Sequence, residues 1–217
     1  MNQPIVESQT GVTLIAGGPV LARDLRAARA FAPRVVAVDG GADRALALGV
    51  RPAAVIGDMD SVSVAARGAL ADVLHVVAEQ ESTDFDKALR HIAAPFVLGL
   101  GCLGGRVDHE LAALSVLVQR RDVPCLLIGR EDVIFAAPPV LEIAMQAGDR
   151  FSLFPMAEVT GQSEGLEWPI AGLRFAPAGR VGTSNRALGP VRLEMDGAGM
   201  LVIVPRARLA VALGALT

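Results

Sequence analysis

The chain is poor in cysteine and lacks long apolar runs, and each scarcity removes a class of protein. Cys102 and Cys125 are its two cysteines, too few for a disulfide framework, so a reducing compartment is expected. No apolar stretch reaches membrane-spanning length without a charge or a Pro or Gly cluster. No charged segment followed by an apolar core and a small-residue cleavage site opens the chain, so no secretory leader is expected. These features predict a cytoplasmic protein that does not associate with membranes.

Basic residues are not in excess either. Lysine and arginine number 20 against 23 acidic residues, which gives a formal net charge of -3. Without a basic block, this balance argues against binding to nucleic acid or to an anionic membrane. Lys87 is the only lysine, a bias that we attribute to genome composition. Apolar residues at 52% and charged residues at 20% are typical of a globular protein.

A regular alternation runs through the first two-thirds of the 217 residues. Short apolar, β-branched runs predict strands at 12–16, 34–38, 53–56, 73–77, 96–100 and 125–128. Segments between them have helical spacing and predict helices at 21–30, 42–48, 62–71, 84–93 and 109–120. Apolar strands that alternate with helices predict a parallel sheet covered on both faces. We assign this α/β domain to residues 1–135.

The pattern changes after residue 130. Short strand-like segments, separated by Gly, Pro and Asp, are predicted at 133–137, 141–145, 150–154, 172–175, 191–195 and 200–204. No amphipathic helix of useful length is predicted among them. This pattern is typical of a small antiparallel sandwich or barrel. We therefore predict a second, smaller all-β domain at residues 136–217.

Aspartates follow four of the predicted strands of the first domain. In an open parallel sheet, ligands bind beyond the carboxyl ends of the strands. Several carboxylates in one crevice cannot all stay ionised without counter-charge, and Mg²⁺ takes carboxylate oxygens together with substrate phosphates. The pattern therefore predicts a metal-ion site at this edge, with Asp58 and Asp60 as the pair that holds the ion. The acids that the four strands bring to the edge are Asp39, Asp58, Asp60, Asp84, Asp86 and Asp108.

Each acidic motif also has a purely structural interpretation. DGG at 39–41 could form a hairpin turn, and GGRVDH at 104–109 a glycine turn followed by a helix start. Ser82 or Thr83 could cap a helix whose first turn holds two acids. Convergence of the motifs on one edge of the sheet favours a shared site over these separate explanations.

Glycine pairs and basic residues accompany the acids. Glycine lets backbone N–H groups approach phosphate oxygens closely, and Lys87 and Arg106 add positive charge at the same edge. The combination predicts phosphoryl-type transfer from a nucleotide. The predicted phosphate-loop residues are Gly17, Gly18, Gly40, Gly41, Gly104 and Gly105.

Other catalytic motifs match only in part. DMDSV at 58–62 resembles the nucleophile motif of haloacid-dehalogenase-type phosphatases, but no lysine follows Lys87 and no acidic pair ends a later strand. Residues 99–104 satisfy Gly-x-Gly-x-x-Gly, yet they follow the fifth strand rather than the first, and the acid expected further on is missing. No P-loop sequence is present, and the three histidines lack metal-ligand spacing.

Taken together, the motifs resemble those of the thiamine pyrophosphokinase family. The resemblance rests on DGGADRAL at 39–46, GDMDSV at 57–62, STDFDKAL at 82–89 and GCLGGRVDHELAAL at 101–114. SEGLEW at 163–168 and GTSN at 182–185 extend it into the second region. Met59, Ala113 and Glu167 depart from the family pattern, which bears on substrate preference more than on reaction class.

The resemblance implies an α/β nucleotide-binding domain followed by a β-sandwich, in a homodimer with thiamine sites between subunits. It implies transfer of pyrophosphate from Mg-ATP to the thiamine hydroxyl, which gives thiamine diphosphate and AMP. It implies metal-binding and catalytic roles for Asp58, Asp60, Asp84 and Asp108. The residues that it places at the substrates are Asp39, Asp43, Lys87, Arg106, Ser163, Trp168, Ser184 and Asn185.

Alternatives remain at this point. Trp168 could cover the thiamine rings, an arrangement worth about 0.5–2 kcal/mol for a cation over an indole, or it could fill the core of the second domain. The departures at Ala113 and Glu167 leave open a related pyrophosphokinase that uses another heterocyclic alcohol, such as a hydroxymethylpterin. A non-catalytic sensor of thiamine or nucleotide is the third hypothesis, although the four central acids are all retained.

Overall fold

The structure, a computed structural model, describes residues 3–217. The chain divides into two compact units. The first comprises the chain up to Val116 together with Asp122–Ile128, and the second comprises Leu117–Arg121 and Gly129–Thr217. The predicted α/β class is confirmed. The predicted boundary after residue 135 lies within a strand of the second unit, and the functional division drawn there stays a prediction.

Parallel strands form the centre of the first unit. They are β1 (Val6–Glu7), β2 (Val12–Ile15), β3 (Arg34–Val38), β4 (Ala54–Gly57), β5 (Leu74–Val76), β6 (Ile92–Ala93), β7 (Val97–Leu100) and β8 (Cys125–Ile128). Six pair in parallel in the order β8-β7-β2-β3-β4-β5, and β1 pairs with β6. Four strands, β2, β4, β7 and β8, are buried at every position, which explains their continuous apolar sequences.

Helices connect these strands. They are α1 (Ala22–Phe31), α2 (Gly41–Ala47), α3 (Val64–Ala69), α4 (Asp84–Arg90) and α5 (Val107–Gln119), with a 3₁₀ turn at Ala71–Val73. Ser63 and Thr83 cap α3 and α4, since their hydroxyl oxygens accept hydrogen bonds from backbone N–H groups of the first turn. The predicted helix 84–93 is too long, because β6 at its end pairs with β1 instead.

The order of the strands defines where a ligand can bind. From β2 the chain proceeds to β3, β4 and β5 on one side of the sheet, and β7 and β8 lie on the other side of β2. The strand order therefore reverses between β2 and β7. In open α/β sheets, the crevice beyond the carboxyl ends of the strands at such a point is the usual ligand site.

The second unit is antiparallel. Its strands are β9 (Asp132–Ala136), β10 (Val140–Ile143), β11 (Arg150–Pro155), β12 (Gly161–Leu166), β13 (Gly182–Met195) and β14 (Met200–Pro205), followed by a 3₁₀ turn at Arg206–Arg208 and α6 (Leu209–Gly214). β11 pairs with β13 and β14, and β14 also pairs with β9. β10 and β12 both pair with β13. Among residues 3–217, no helix is long and apolar enough to cross a membrane.

Two predictions for the second unit are wrong in detail. The predicted strand 172–175 does not form, because Gly172 lies in a turn with φ +76° and only Phe175 pairs, with Val159. β13 begins at Gly182, well before the predicted 191. Its first half is rich in polar residues, so it lacks the β-branched run by which strands are recognised.

The core of the first unit can be tested by truncation. Leu98 on β7 is fully buried, whereas Val64 on α3 is 88% exposed. Leu98→Ala is expected to lower the free energy of unfolding by about 2–5 kcal/mol, because it removes buried methyl groups and leaves a cavity. Val64→Ala, the control, should change it by less than about 0.5 kcal/mol. Urea unfolding followed by circular dichroism measures both, and equal midpoints would contradict the placement of Leu98 in the core.

Candidate active site

Three carboxylates meet where β3 and β4 end. One oxygen each of Asp39, Asp58 and Asp60 lies within 4.8 Å of the other two. They meet because β3 and β4 are adjacent parallel strands, and the Asp39 N–H donates to the Ile56 carbonyl at 3.1 Å. Asp39 is buried, Asp58 half-buried and Asp60 exposed. Such a set of facing carboxylate oxygens suits a hard divalent cation. We call these three residues the carboxylate group.

The turn that carries Asp58 and Asp60 is anchored by Met59. This residue has φ 68°, a left-handed conformation that is uncommon outside glycine. Its side chain is buried against Val55 and Val62 in an apolar cluster, which holds the strained turn. The two aspartates on either side of Met59 are joined by a hydrogen bond, which the Asp60 N–H donates to Asp58 Oδ1 at 3.2 Å. The departure from the family pattern at Met59 thus keeps an apolar anchor.

Asp84 joins the carboxylate group from the start of α4. Its Oδ1 atom accepts a hydrogen bond from the Asp58 N–H at 3.2 Å. A side chain at Gly57 would place its Cβ 3.0 Å from Asp39 Cβ and 3.2 Å from Asp84 Oδ1. Glycine at this position therefore leaves the space in which these carboxyl groups approach one another.

Lys87 supplies the positive charge beneath these acids. Only 1% of the residue is exposed, and its Nζ lies 2.9 Å from Asp84 Oδ1 and 3.5 Å from Asp58 Oδ2. Burial works against the charged form, but the hydrogen bond and charge of Asp84, together with Asp58, outweigh it and raise the pKa of Lys87. The ammonium is therefore a fixed counter-ion of two carboxylates.

The carboxyl groups differ in their protonation tendencies. Burial raises the pKa of Asp39 despite hydrogen bonds from Gly40 and Ser61. The Asp60 backbone N–H is the main cause that lowers the pKa of Asp58. The surroundings therefore shift the pKa values of Asp39 and Asp58 in opposite directions.

A cavity of about 820 Å³ lies beside the carboxylate group, within the first unit. It is lined by the segments that follow β2, β3 and β7 and by the starts of α4 and α5, at the reversal of strand order. The Gly18 N–H donates to the Gly101 carbonyl at 2.9 Å, and a Cβ at Gly18 would lie 2.4 Å from that oxygen. Close contact between two loops therefore requires glycine there.

Four of the six predicted phosphate-loop glycines line this cavity: Gly17, Gly18, Gly40 and Gly105. Gly41 and Gly104 do not. Gly41 packs against β2, since a Cβ there would lie 2.0 Å from the Ile15 carbonyl oxygen, and Gly104 adopts φ +76° in a turn. These two glycines are explained by packing and by backbone conformation.

Arg106 and Asp108 interact with each other. The Arg106 Nε donates to Asp108 Oδ1 at 3.1 Å, and the Asp108 carboxylate also accepts from the His109 N–H. Hydrogen bonding to Arg106 lowers the pKa of Asp108 to about 2. Arg106 lines the cavity, whereas Asp108 is exposed and lies outside the carboxylate group.

Three further polar residues, Asp43, Arg44 and Gln80, support the site. Asp43 lines the cavity and accepts from the Ser63 N–H at 3.0 Å and from its hydroxyl. The Gln80 Nε2 donates to Asp58 Oδ2 at 3.2 Å. Arg44 lines the cavity and its Nε donates to the Gly17 carbonyl. Asp43 is one of the predicted substrate contacts, whereas Gln80 and Arg44 were not predicted, and their closeness in sequence to the acidic residues is the signal that could have found them.

In the second unit, the four predicted substrate-binding residues lie on or beside β12 and β13. The side-chain amide of buried Asn185 makes two hydrogen bonds with the backbone of Trp168. Asn185 Oδ1 accepts from the Trp168 N–H at 3.2 Å, and Asn185 Nδ2 donates to the Trp168 carbonyl at 2.7 Å. Ser163 accepts from the Ile170 N–H, and the Ser184 N–H donates to Ser152. Trp168 itself is 54% exposed, so the alternative that it fills a core is wrong.

Comparison with known proteins identifies the family. Residues 27–127, which include all the acids discussed above, match the family described as "Thiamin pyrophosphokinase, catalytic domain". Thiamine pyrophosphokinase from Bacillus subtilis is 31% identical over 207 residues, which cover 89% of this chain and 97% of that protein. The chain belongs to the thiamine pyrophosphokinase family.

Other members of the thiamine pyrophosphokinase family match less of their length or share only the fold. Thiamine pyrophosphokinase 1 from Oryza sativa is 26% identical over 156 residues, which cover 62% of this chain and 59% of that protein. This chain thus spans about three-fifths of the length of that plant relative. The structure of thiamin pyrophosphokinase from Candida albicans aligns with a TM-score of 0.74 over 94% of this chain and 95% of that one, at 17% identity, which shows a shared fold.

The counter-ion role of Lys87 in this family member can be tested. Lys87→Met leaves Asp84 and Asp58 facing each other without the ammonium. Because both acids keep some solvent contact, the variant is expected to lose about 2–4 kcal/mol of unfolding free energy. Adding Asp84→Asn, which removes one facing charge, should restore part of the loss. Urea unfolding at pH 7 compares the three proteins, and a double variant less stable than the single one would contradict the assignment.

Proposed function

We propose that this protein is an ATP-dependent thiamine pyrophosphokinase. It transfers the pyrophosphoryl unit of Mg-ATP to the thiamine hydroxyl and releases thiamine diphosphate and AMP. The observation that carries the proposal is the carboxylate group of Asp39, Asp58 and Asp60 at the edge of a glycine-lined cavity, in a chain of this family. The reaction needs two bound substrates in line and neutralisation of phosphate charge, and this edge of the sheet offers groups for both.

Mg²⁺ is proposed to bind to Asp58 and Asp60, with Asp39 as the third carboxylate, because these oxygens already face one another. When bound, the ion would neutralise phosphate charge. Asp84 is proposed to orient the group through its hydrogen bond with the Asp58 N–H. Asp108 is proposed to act with Arg106, to which it is paired. One of these carboxylates accepts the proton of the attacking hydroxyl.

Phosphate binding is assigned to the cavity wall. Gly17, Gly18, Gly40 and Gly105 line it and would admit phosphate oxygens close to the backbone. Arg106, an exposed guanidinium at the same wall, is proposed to contact the phosphates. For Lys87, which is buried and held by two acids, we propose charge balance beneath the site. Asp39 and Asp43 lie beside the same cavity as proposed substrate contacts.

Thiamine binding is assigned to the second unit. The exposed indole of Trp168 offers a face to a flat cationic ring, and Ser163, Ser184 and Asn185 are proposed to surround it. The further proposals come from the family resemblance: a nucleotide-binding domain at 1–135, a β-sandwich at 136–217, and a homodimer with the thiamine site between subunits. A cytoplasmic location follows from the cysteine content.

The decisive experiment is incubation of the purified chain with ATP, Mg²⁺ and thiamine. Formation of AMP and thiamine diphosphate in equal amounts is expected. ADP as the product would indicate transfer of a single phosphoryl group and would overturn the proposal. Parallel reactions with a hydroxymethylpterin test the related pyrophosphokinase, and binding of thiamine without turnover would identify a sensor.

Asp58→Asn is expected to lower activity strongly and leave the fold intact. The change deletes one charge from the carboxylate group, and a loss of about 3 kcal/mol in charge stabilisation corresponds to about a 100-fold lower kcat/KM. Asp72→Asn is the matched control, because Asp72 is exposed and pairs with Arg51 on the surface. Steady-state rates at saturating Mg²⁺ measure the effect, and wild-type activity of Asp58→Asn would exclude it from the mechanism.

Trp168→Ala is expected to weaken thiamine binding by about 2- to 30-fold, which corresponds to the 0.5–2 kcal/mol of a cation–π contact. Trp168→Phe keeps an aromatic face and should retain part of the affinity. Binding of Mg-ATP is expected to be unchanged in both variants. Isothermal titration with each substrate gives the comparison, and a larger loss for ATP than for thiamine would refute the stacking role.

A further inference from the structure

The loop between β5 and α4 is closed by the carboxylate of Glu79. Its Oε2 atom accepts hydrogen bonds from the N–H groups of Glu81 at 2.7 Å and Ser82 at 3.1 Å. Its Oε1 atom accepts from the Ser82 hydroxyl and from Arg90. The Glu79 carboxylate thus accepts hydrogen bonds from three groups of its own loop and from one residue of α4.

Arg90 ties this loop to α4. It is the last residue of the helix, and its Nη2 also donates to the Ser82 hydroxyl at 2.6 Å. Its Nε lies 3.1 Å from Oδ2 of Asp86, a buried residue in the first turn of α4. The Arg90 guanidinium therefore links the end of α4 to the loop and to the first turn of the same helix. We call Glu79, Ser82, Asp86 and Arg90 the loop clamp.

The hydrogen bonds of the loop clamp favour the ionised carboxylate of Glu79. The Ser82 hydroxyl is the largest cause that lowers the pKa of Glu79 to about 2, with further contributions from Arg90 and from backbone N–H groups. Burial opposes this shift but does not cancel it.

Two points of the clamped segment reach Asp58. Gln80, directly after Glu79, donates from Nε2 to Asp58 Oδ2 at 3.2 Å. Thr83 caps α4, and Asp84 accepts from the Asp58 N–H at 3.2 Å. Asp58 is therefore held on its side chain by Gln80, in the middle of the loop, and on its backbone by Asp84, the residue that follows the loop. A change in the shape of this loop moves both contacts together.

An ordinary surface ion pair does not have this arrangement. Arg51 and Asp72 also pair, but both side chains are at least half exposed, and the other contact of this guanidinium is to the Ala69 carbonyl. Exposed pairs of that kind contribute little, because solvent screens them. The loop clamp differs since its hydrogen bonds order the residues that contact Asp58.

We propose that Glu79 and Arg90 are positioning residues for the binding of the metal–triphosphate substrate. They act through Gln80 and Asp84, which orient Asp58, and they do not touch the substrate themselves. Partners that orient metal-binding carboxylates typically change metal affinity or activity 10- to 100-fold when removed. The inference rests on the proposed function only in taking Mg-nucleotide as the ligand of the carboxylate group.

The test uses the full chain with Glu79→Gln, Arg90→Met and the double variant. Isothermal titration with Mg²⁺ and a non-hydrolysable ATP analogue is expected to show binding weakened about 10-fold or more in each single variant. The double variant should be no weaker than the worse single variant, because both changes break one clamp. Thiamine affinity is expected to equal that of the wild type.

Arg51→Met is the control, since it breaks a surface pair outside the clamp and should leave both affinities unchanged. Urea unfolding establishes that the variants are folded, and Glu79→Gln, which preserves side-chain shape, carries the test if Arg90→Met does not fold. Equal losses of nucleotide and thiamine affinity, or wild-type nucleotide affinity in Glu79→Gln, would overturn the proposal. A wild-type chain that binds the Mg-nucleotide but makes no thiamine diphosphate would refute the proposed function alone.

Discussion

Repulsion among carboxylates is the constraint on which the site depends. Asp39, Asp58 and Asp60 have oxygens within 4.8 Å of one another, and Asp84 reaches the backbone of Asp58. Like charges this close need compensation when water is partly excluded. Part comes from the buried ammonium of Lys87, and part from backbone N–H groups in the turns that carry the acids. Asp60 is the exposed member of the three, and facing carboxylate oxygens of this kind suit a divalent cation and the phosphates that would accompany it.

Parallel strands make this concentration of charge possible. Residues distant in sequence arrive together because β3 and β4 end side by side, and the segments after β2 and β7 complete the wall of the cavity. Glycine allows those segments to touch, as between Gly18 and Gly101. The apolar anchor at Met59 holds the sharp turn between two of the acids. Packing energy in the sheet and its flanking helices thus stabilises an arrangement that electrostatics alone would disperse.

The meeting of Asp39 with Asp58 could be predicted from sequence, because strand ends in a parallel sheet share one edge whatever their side chains. The position of Asp108 could not, since a local pair with Arg106, two residues away, decides its orientation, and motif spacing contains no such information. The burial of Lys87 could not be predicted either, because lysine on a helix is ordinarily exposed. In the second unit, the first half of β13 was not predicted, because it is polar. The strand predicted at 172–175 does not form, because Gly172 lies in a turn.

The side-chain amide of Asn185 hydrogen-bonds both the backbone N–H and the backbone carbonyl of Trp168, and this has a consequence for ligand binding. Ordering a loop during association opposes binding through lost conformational freedom. Here the backbone of Trp168 is already hydrogen-bonded in the folded chain, so the ordering of that backbone accompanies folding rather than association. For the thiamine ligand proposed above, the backbone that carries the indole would need no rearrangement, and association would depend on diffusional encounter more than on ordering of this segment.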